Sequence, residues 1–191
     1  VDFTHWCQDR GIKVVTAFGF STENWNRTEE EVSYLMKLLE MGLRAHLKDF
    51  VSSNARVRII GQKERLPQSL QDVIRSVEEQ TKDQNDMFLN LAISYGGRWD
   101  IVQAVQKIQG ARLEPGDITE ESFDAYLSTV GLPDPDLIIR PGGEMRFSNF
   151  LLWQSAYAEL YFLEKYWPDF TEQDLDDALA EYARRQRRFG A

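Results

Sequence analysis

The sequence predicts an α/β fold with a mainly parallel central sheet flanked by helices on both faces. Short apolar runs of strand type alternate with longer segments whose apolar residues recur at helical spacing. Such alternation is typical of parallel sheets that helices cover on both sides. No internal repeat, low-complexity segment or linker interrupts the pattern. With 191 residues, of which 42% are hydrophobic, we expect a single domain over residues 1–191.

The first predicted strand, residues 13–20, follows a helix end over residues 1–10. Its carboxyl end runs into a polar turn at residues 21–27. Thr28 and Glu31 have the spacing of a capping box, in which each side chain bonds the backbone N–H of the other residue. The helix that they begin carries apolar residues at helical spacing. Its predicted buried positions are Val32, Leu35, Met36, Leu39, Leu43 and Leu47.

Two further strands are predicted in the middle of the chain, at residues 56–60 and 87–93. Pro67 lies between them at a position that favours the start of a helix. The apolar face predicted for that helix consists of Leu70, Val73, Ile74 and Val77. Another helix follows the third strand, and its predicted apolar positions are Val102, Val105 and Ile108. Residues 109–118 are predicted to form a loop.

The last part of the chain adds two predicted strands, at residues 137–139 and 158–163. Thr119 caps a short helix before them, and Thr171 precedes the final helix. That helix ends in an arginine cluster at residues 184–188. We interpret the cluster as a solvated helix end or as part of a dimer contact, with a weak lipid anchor as a third reading.

Composition and charge narrow the classes of function. A net charge of −9 and a pI of about 4.8 argue against nonspecific nucleic-acid binding. A single cysteine, Cys7, excludes an internal disulfide and a cysteine-only metal site. No apolar run approaches the roughly 20 residues of a spanning helix, and no signal peptide is visible. We therefore expect a cytoplasmic protein, with weak peripheral membrane contact left open.

The strongest functional signal follows the fourth predicted strand. Arg140 and Arg146 offer two guanidinium groups, Ser148 offers a hydroxyl, and Gly142 and Gly143 offer backbone N–H groups. These groups suit a phosphate or diphosphate, and ligands of open α/β sheets bind beyond the carboxyl ends of strands. The alternative is a loop whose arginines pair with nearby carboxylates. Those carboxylates are Asp134, Asp136 and Glu144.

The carboxyl ends of parallel strands share one edge of a sheet, so we expect the turns after the first, third and fourth strands to meet. The polar residues that these turns would bring together are Ser21, Glu23, Asn24, Trp25, Arg27, Arg98, Arg140, Arg146 and Ser148. Neither histidine, His5 or His46, belongs to this set, and no nucleotide-binding motif follows any strand. The predicted chemistry is therefore electrostatic: the site would bind and position anions and stabilise developing charge.

Three motifs resemble the cis-prenyltransferase family, and the bacterial undecaprenyl diphosphate synthases are the most similar members. They are Phe-Ser-Thr-Glu-Asn-Trp-Asn-Arg at residues 20–27, Tyr-Gly-Gly-Arg-Trp-Asp at residues 95–100, and the stretch of residues 140–162. Residues 167–170 and 187–190 fit the family as well. The resemblance covers essentially the whole chain.

The resemblance implies a homodimeric, Mg²⁺-dependent enzyme that adds isopentenyl diphosphate repeatedly to an allylic prenyl diphosphate, typically farnesyl diphosphate, with cis double bonds. It assigns proton abstraction to Asn24, the allylic diphosphate to Arg27, and a Mg²⁺ ligand to Glu159. Its further substrate-binding residues are Ser21, Thr22, Glu23, Trp25, Arg140, Arg146, Phe147 and Ser148. A neutral amide is a poor base in water, so Asn24 could instead orient a diphosphate or a water molecule.

The sequence also departs from the family pattern. The family begins with a strand and a phosphate-cradling loop, Asp-Gly-Asn-Gly-Arg-Trp, whose aspartate also binds Mg²⁺, and this sequence has no such segment. We expect either that the N-terminal strand and loop are missing upstream or that the chain is a non-catalytic partner subunit. The intact Asn24 motif favours the first reading. A short-chain or irregular prenyl diphosphate synthase is a further alternative, and Pro141, where the family often has Thr, weakens a strict undecaprenyl assignment.

Overall fold

A computed structural model describes residues 2–185 and separates two compact units, Val1–Gly131 and Leu132–Ala191. Each unit is built around its own parallel sheet. The predicted arginines Arg187 and Arg188, and the motif at residues 187–190, lie outside the described residues. Within the described part of the chain, no helix combines the length and the apolar character needed to cross a membrane.

The first unit contains three parallel strands, β1 (Val14–Ser21), β2 (Ala55–Ile60) and β3 (Met87–Tyr95). Their order in the sheet is β1-β3-β2. The register pairs Ser21 with Tyr95, so β1 and β3 end at the same edge. The predicted parallel arrangement of these strands is confirmed. The helices of this unit are α1 (Asp2–Asp9), α2 (Glu29–Ser52), α3 (Gln68–Thr81), α4 (Gly97–Ala111) and α5 (Glu120–Asp124).

Helices α2 and α3 pack on the sheet and form the main core with it. The four apolar residues predicted for α3 are all buried: Leu70, Val73, Ile74 and Val77. On α2, Met36 and Leu43 are buried, and the other four predicted positions are partly buried against the same core. The helical spacing in the sequence therefore identified the faces of α2 and α3 correctly.

The predicted helix α4 is present, but two of its three named apolar positions do not face the core. Val102 and Val105 are 55% and 53% exposed, whereas Ile108 is buried as predicted. The positions that α4 buries are Gly97, Asp100, Ala104 and Ile108. These residues lie three or four positions apart, so the helix is rotated to bring Asp100 inward.

Asp100 explains that rotation, because its carboxylate is 1% exposed and needs hydrogen-bond donors. It accepts hydrogen bonds from the Tyr95 hydroxyl at 3.0 Å and from the Ser128 hydroxyl at 2.7 Å. Gln103 Nε2 donates a third at 2.9 Å. A buried carboxylate with this many donors fixes the inward face of the helix more strongly than two valines do.

The second unit contains β4 (Leu137–Pro141), β5 (Glu159–Leu163) and α6 (Glu172–Arg184). The two strands pair in parallel, with Leu137 opposite Glu159 and Arg140 opposite Phe162. The five strands of the described chain thus form one sheet of three and one of two. Both predicted strands are present, and β4 extends to Pro141 because its pairing with β5 continues to Leu163.

Candidate functional site

The turn after β1 is a short 3₁₀ helix, Thr22–Asn26, which Ser21 and Asn24 close by a reciprocal capping box. Asn24 Oδ1 accepts a hydrogen bond of 2.8 Å from the Ser21 backbone N–H, and Ser21 Oγ accepts one of 3.3 Å from the Asn24 backbone N–H. The Asn24 carbonyl oxygen is therefore engaged in holding the turn. Its Nδ2 group has no hydrogen-bond partner within residues 2–185, and an amide N–H donates rather than abstracts a proton.

Trp25 joins this turn to the end of β3. Its indole Nε1 donates a hydrogen bond of 2.8 Å to Ser94 Oγ, and its ring packs edge-on against Phe20 with the centroids 5.1 Å apart. The Ser94 hydroxyl donates in turn to Gln62 Oε1 at 3.1 Å. The structure thus brings together the turns after β1 and β3, as the sequence predicted, and it adds the turn after β2.

Gly61 makes that third turn possible. Its φ is +126°, and a Cβ at this position would lie 2.0 Å from the Ile93 carbonyl oxygen. Only glycine fits such a close approach of two backbones. The next residue, Gln62, donates its backbone N–H to Ser94 O at 3.1 Å. The sequence predicted that the second strand stops before Gly61, but the turn at Gly61 was not among the turns expected to form the site.

A cleft of about 450 Å³ opens beside these turns. Its apolar lining consists of Trp25, Val32, Met36, Leu66 and Pro67, and its polar lining of Arg27, Glu29, Ser33 and Arg65. The Arg27 guanidinium makes no ion pair within the described part of the chain. The guanidinium of Arg65 lies over the Trp25 ring, 4.5 Å from its centroid. Two cations therefore line a cleft with an apolar wall.

Three of the predicted site residues, Thr22, Glu23 and Arg98, do not line this cleft. Thr22 and Glu23 lie at the surface side of the 3₁₀ helix and hydrogen bond to each other at 3.1 Å. Arg98 lies in the first turn of α4, is exposed, and is absent from the lining of the cleft. The residue that sequence reasoning did not identify here is Arg65.

A larger cleft, of about 690 Å³, lies between β2 and α3, but three of its four cations, Arg58, Arg75 and Lys82, are already engaged. Arg58 donates to the carbonyl oxygens of Val130 and Ser128, at 3.2 and 3.4 Å. Lys82 pairs with Glu79 at 2.6 Å. Burial lowers the pKa of Arg58 below its usual value, and the charge of Arg56 adds to that shift. The smaller cleft is the better candidate for an anion.

The second unit carries the other predicted set of anion ligands. Arg140 Nη1 donates to Ser148 Oγ at 2.8 Å, and Arg146 Nε donates to the same oxygen at 3.3 Å. Glu144 Oε2 accepts from Arg140 Nη2 at 2.8 Å and also pairs with Arg146. Both guanidiniums and the hydroxyl are thus brought together, and the pairing with Glu144 that the alternative predicted is present as well.

One donor of this set is unused. Arg140 Nε is buried and has no hydrogen-bond partner within residues 2–185. A buried charged donor without an acceptor is costly, so the protein alone does not fully satisfy this guanidinium. Phe147, also predicted for the site, is 38% exposed next to Arg146.

The expectation of free backbone N–H groups at Gly142 and Gly143 is wrong. Gly142 N donates to the carbonyl oxygens of Leu163 and Lys165, at 3.0 and 2.8 Å, and Gly143 N donates to Leu163 O at 3.0 Å. These bonds continue the pairing of β4 with β5 beyond Pro141. The glycines instead allow positive φ values of +105° and +72°, which turn the chain away from the sheet.

Glu159, the predicted Mg²⁺ ligand, begins β5. Its Oε2 accepts a hydrogen bond of 2.7 Å from Arg185 Nη1, and this contact raises the pKa of Arg185. Arg185 also contacts Glu181 at 3.3 Å. Within residues 2–185 no group of three or more His, Cys, Asp or Glu residues could hold a metal. Proteins commonly bind Mg²⁺ through one or two carboxylates plus substrate phosphates, so Glu159 fits as a single carboxylate ligand and not as part of a cage.

Comparison with known proteins identifies one family over almost the whole chain. Residues 1–190 match the family of undecaprenyl diphosphate synthases. An isoprenyl transferase of Aquifex aeolicus is 47% identical over 189 residues, which span 99% of this chain and 81% of that protein. The farnesyl-diphosphate-specific ditrans,polycis-undecaprenyl-diphosphate synthase of Pseudomonas putida is 48% identical over 188 residues. These residues span 96% of this chain and 75% of that protein.

Two solved structures have the same fold. Lavandulyl diphosphate synthase from Lavandula x intermedia, in complex with dimethylallyl diphosphate, superposes with a TM-score of 0.94 at 42% identity, covering 98% of this chain and 83% of that chain. A probable undecaprenyl diphosphate synthase from Campylobacter jejuni superposes with a TM-score of 0.90 at 37% identity. The superposition covers 99% of this chain and 88% of that chain.

Proposed function

Because the chain belongs to the undecaprenyl diphosphate synthase family and is a cis-prenyltransferase, we propose that it condenses isopentenyl diphosphate stepwise onto an allylic diphosphate. The product would be a polyprenyl diphosphate such as undecaprenyl diphosphate. The observation that carries the proposal is the set of Arg140, Arg146 and Ser148 at the end of β4, with the buried Arg140 Nε lacking a protein acceptor. Farnesyl diphosphate is the proposed starter, which the name of the Pseudomonas putida relative supports.

Each unit supplies one set of substrate-binding groups. In the first unit, Arg27 would bind the allylic diphosphate, and the apolar lining of the 450 Å³ cleft would contact the adjoining prenyl carbons. In the second unit, Arg140, Arg146 and Ser148 would bind isopentenyl diphosphate, beside the exposed ring of Phe147. Guanidinium groups match phosphate oxygens in geometry as well as in charge.

The reaction breaks the allylic C–O bond, forms a carbon–carbon bond to the isopentenyl double bond, and releases a proton and diphosphate. Fixed guanidiniums stabilise the negative charge that develops on the leaving diphosphate. Apolar walls exclude water, which would otherwise capture the allylic cation. Glu159 would supply a carboxylate oxygen to Mg²⁺, and the bound ion would supply positive charge to neutralise a diphosphate.

Asn24 is proposed to act as a hydrogen-bond donor in this reaction. Its Oδ1 is engaged by the Ser21 backbone N–H, whereas its Nδ2 group is unused within the described residues. A donor at this position would orient a diphosphate oxygen or a water molecule. Asn24→Asp retains the size and the capping oxygens but removes the N–H donor, so we expect it to lower kcat while the fold is kept.

The activity is tested by incubating the protein with labelled isopentenyl diphosphate, farnesyl diphosphate and Mg²⁺. Long polyprenyl diphosphates are the expected products, and no incorporation of label would contradict the proposal. A partner-subunit role would instead give no activity alone and co-purification with an active homologue. Homodimer formation, a cytoplasmic location and weak membrane contact stay predictions.

A second candidate is a short-chain or irregular condensation. The fold similarity to lavandulyl diphosphate synthase, with a TM-score of 0.94, supports this second candidate function. Incubation with dimethylallyl diphosphate alone distinguishes the two functions. A short branched product without isopentenyl diphosphate would indicate the irregular reaction, whereas chain extension only with isopentenyl diphosphate would indicate the polyprenyl synthase.

A further inference from the structure

The cleft beside the turn after β1 contains a second guanidinium that no motif of the sequence singled out. Arg65 lies in the short 3₁₀ turn Lys63–Arg65 after β2 and lines the cleft together with Arg27. Neither arginine forms an ion pair with a carboxylate within residues 2–185. In a chain with a net charge of −9, two neighbouring cations without carboxylate partners are unusual and favour an anionic ligand.

Arg65 is held in place by an unbroken series of contacts. Its guanidinium stacks on the Trp25 ring, 4.5 Å from the centroid, and its Nη1 lies 3.5 Å from Gln62 Oε1. Gln62 Oε1 accepts from Ser94 Oγ at 3.1 Å, and Ser94 Oγ accepts from Trp25 Nε1 at 2.8 Å. The contacts therefore close a ring of four residues, which reduces the rotamer freedom that a long exposed arginine would otherwise lose on binding a ligand.

The rest of the lining indicates what kind of anion fits. Trp25 and Val32 are partly exposed and Pro67 is exposed, so the lining of the cleft presents apolar surface to solvent. A small inorganic anion would leave this apolar surface in water. An anion that carries a hydrocarbon chain uses both the cations and the apolar surface.

We propose that Arg65 is a second binding residue for the allylic diphosphate, positioned by Trp25 and acting beside Arg27. This inference rests on the proposed function, because it assigns a residue to the allylic site of that reaction. Trp25 then has two tasks: its indole N–H anchors the turn through Ser94, and its ring face holds the guanidinium of Arg65. Cation–aromatic contacts of this kind are strongest with tryptophan.

The test is Arg65→Gln in the full chain, with Arg75→Gln as the matched control. Arg75 is an exposed arginine of α3 that pairs with Asp72 and lies outside this cleft. We expect Arg65→Gln to weaken farnesyl diphosphate binding, measured by calorimetry, by about tenfold or more, as for loss of a charge-assisted hydrogen bond. The KM of Arg65→Gln for isopentenyl diphosphate should change less than about twofold, because Arg65 is not assigned to that substrate. Arg75→Gln should change neither the binding of farnesyl diphosphate nor the KM for isopentenyl diphosphate.

Equal behaviour of Arg65→Gln and Arg75→Gln would overturn the assignment of Arg65 while leaving the enzyme activity in place. An equal loss for both substrates, together with a lower Tm, would also overturn it, because it would indicate a merely structural role. If the wild-type protein neither binds nor extends any prenyl diphosphate, the proposed function itself fails, and the two failures are thereby distinguishable.

A double-mutant cycle tests the positioning by Trp25. Trp25→Leu removes both the ring face and the indole N–H, so Arg65 loses its platform. Arg65→Gln should then have a much smaller effect in the Trp25→Leu background than in the wild type. Additive effects of the two substitutions would refute the positioning role of Trp25.

Discussion

The indole Nε1 of Trp25 donates a hydrogen bond of 2.8 Å to the hydroxyl of Ser94, which lies 69 positions further along the chain. Ser94 is fully buried at the end of β3, with a left-handed φ of +53°. The bond fixes the turn after β1 against the central strand of the three-stranded sheet. It thereby sets the position of the aromatic wall of the cleft.

Ser94→Ala should therefore disturb both stability and substrate binding. The substitution removes the acceptor of the Trp25 N–H and the donor to Gln62 Oε1, so that one partly buried N–H loses its partner. We expect the free energy of unfolding in urea to fall by about 1–3 kcal/mol. The KM for the allylic diphosphate should rise while that for isopentenyl diphosphate stays unchanged. A variant as stable as the wild type would contradict this role of Ser94.

Gly61→Ala tests the close contact between the turn after β2 and the end of β3. A Cβ on residue 61 would lie 2.0 Å from Ile93 O at a φ of +126°, so Gly61→Ala must displace backbone. We expect a loss of about 3 kcal/mol or more in thermal or urea unfolding, because the clash with Ile93 O adds to the roughly 1–3 kcal/mol of a strained backbone position. Gly42→Ala is the control, because a Cβ there meets no atom within 4 Å on helix α2. It should stabilise the protein by about 0.5–1 kcal/mol.

The two glycines show which features of the fold could be predicted from the sequence and which could not. The alternation of apolar runs predicted the strands and the faces of α2 and α3, because burial follows from periodicity within one element. The turn after β2 depends on how closely Gly61 approaches Ile93, which lies on another strand. The distance between two strands' backbones is not encoded in either segment alone, so Arg65 was not recognised as part of a cleft.

The face of α4 and the glycines after β4 illustrate the same limit. Val102 and Val105 were named as the apolar positions of α4, but the carboxylate of Asp100 turns the helix by bonding residues from outside it. Gly142 N was expected to be free for phosphate, but β5 supplies the acceptors that it uses. In both cases at least one competing partner is distant in the sequence: Ser128 lies 28 positions from Asp100, and Leu163 belongs to β5 whereas Gly142 follows β4.

Glu144 is expected to organise the two arginines of the second unit. Its carboxylate contacts Arg140 at 2.8 Å and also Arg146, and it thereby holds both guanidiniums near Ser148. Glu144→Gln removes the charge but not the size, so both arginines lose a charge-assisted partner. We expect the KM for isopentenyl diphosphate to rise by about tenfold, with little change for farnesyl diphosphate. Tighter binding of isopentenyl diphosphate would instead mean that Glu144 competes with the ligand.

Arg140→Ala should have a larger effect in the same direction. It removes the guanidinium whose buried Nε lacks a protein acceptor, together with the bond to Ser148. The KM for isopentenyl diphosphate should rise far more than that for the allylic substrate in steady-state assays. Equal effects on the two substrates would contradict the assignment of Arg140 to isopentenyl diphosphate.

Glu159 and Glu181 both contact Arg185, which allows a matched test of the proposed Mg²⁺ ligand. Glu159→Gln should raise the Mg²⁺ concentration needed for half-maximal activity, because a carboxylate ligand becomes a neutral amide. Glu181→Gln weakens the hold on Arg185 without changing Glu159, so its Mg²⁺ dependence should match the wild type. If both variants need more Mg²⁺ to the same degree, the effect arises from Arg185 and Glu159 is not a ligand.

Asp174 should make the stability of the protein depend on acid pH. Its carboxylate accepts from Lys165 Nζ at 2.7 Å and from the backbone N–H of Thr171, also at 2.7 Å. These bonds, that of Lys165 first, lower the pKa of Asp174 from 3.8 to about 2. Because the folded pKa lies below the unfolded value, the stabilisation is fully present above about pH 4 and is lost as the pH falls through about 2.

We therefore expect Asp174→Asn to lower the free energy of unfolding above pH 4 and to flatten its dependence on pH between about 4 and 2. The measurement is urea unfolding at a series of pH values, followed by circular dichroism. Asp177→Asn is the control, since Asp177 is exposed on the same helix and accepts a single hydrogen bond of 3.0 Å from Gln173. Its unfolding curve should keep the wild-type slope, whereas a wild-type slope in Asp174→Asn would show that another carboxylate causes the acid sensitivity.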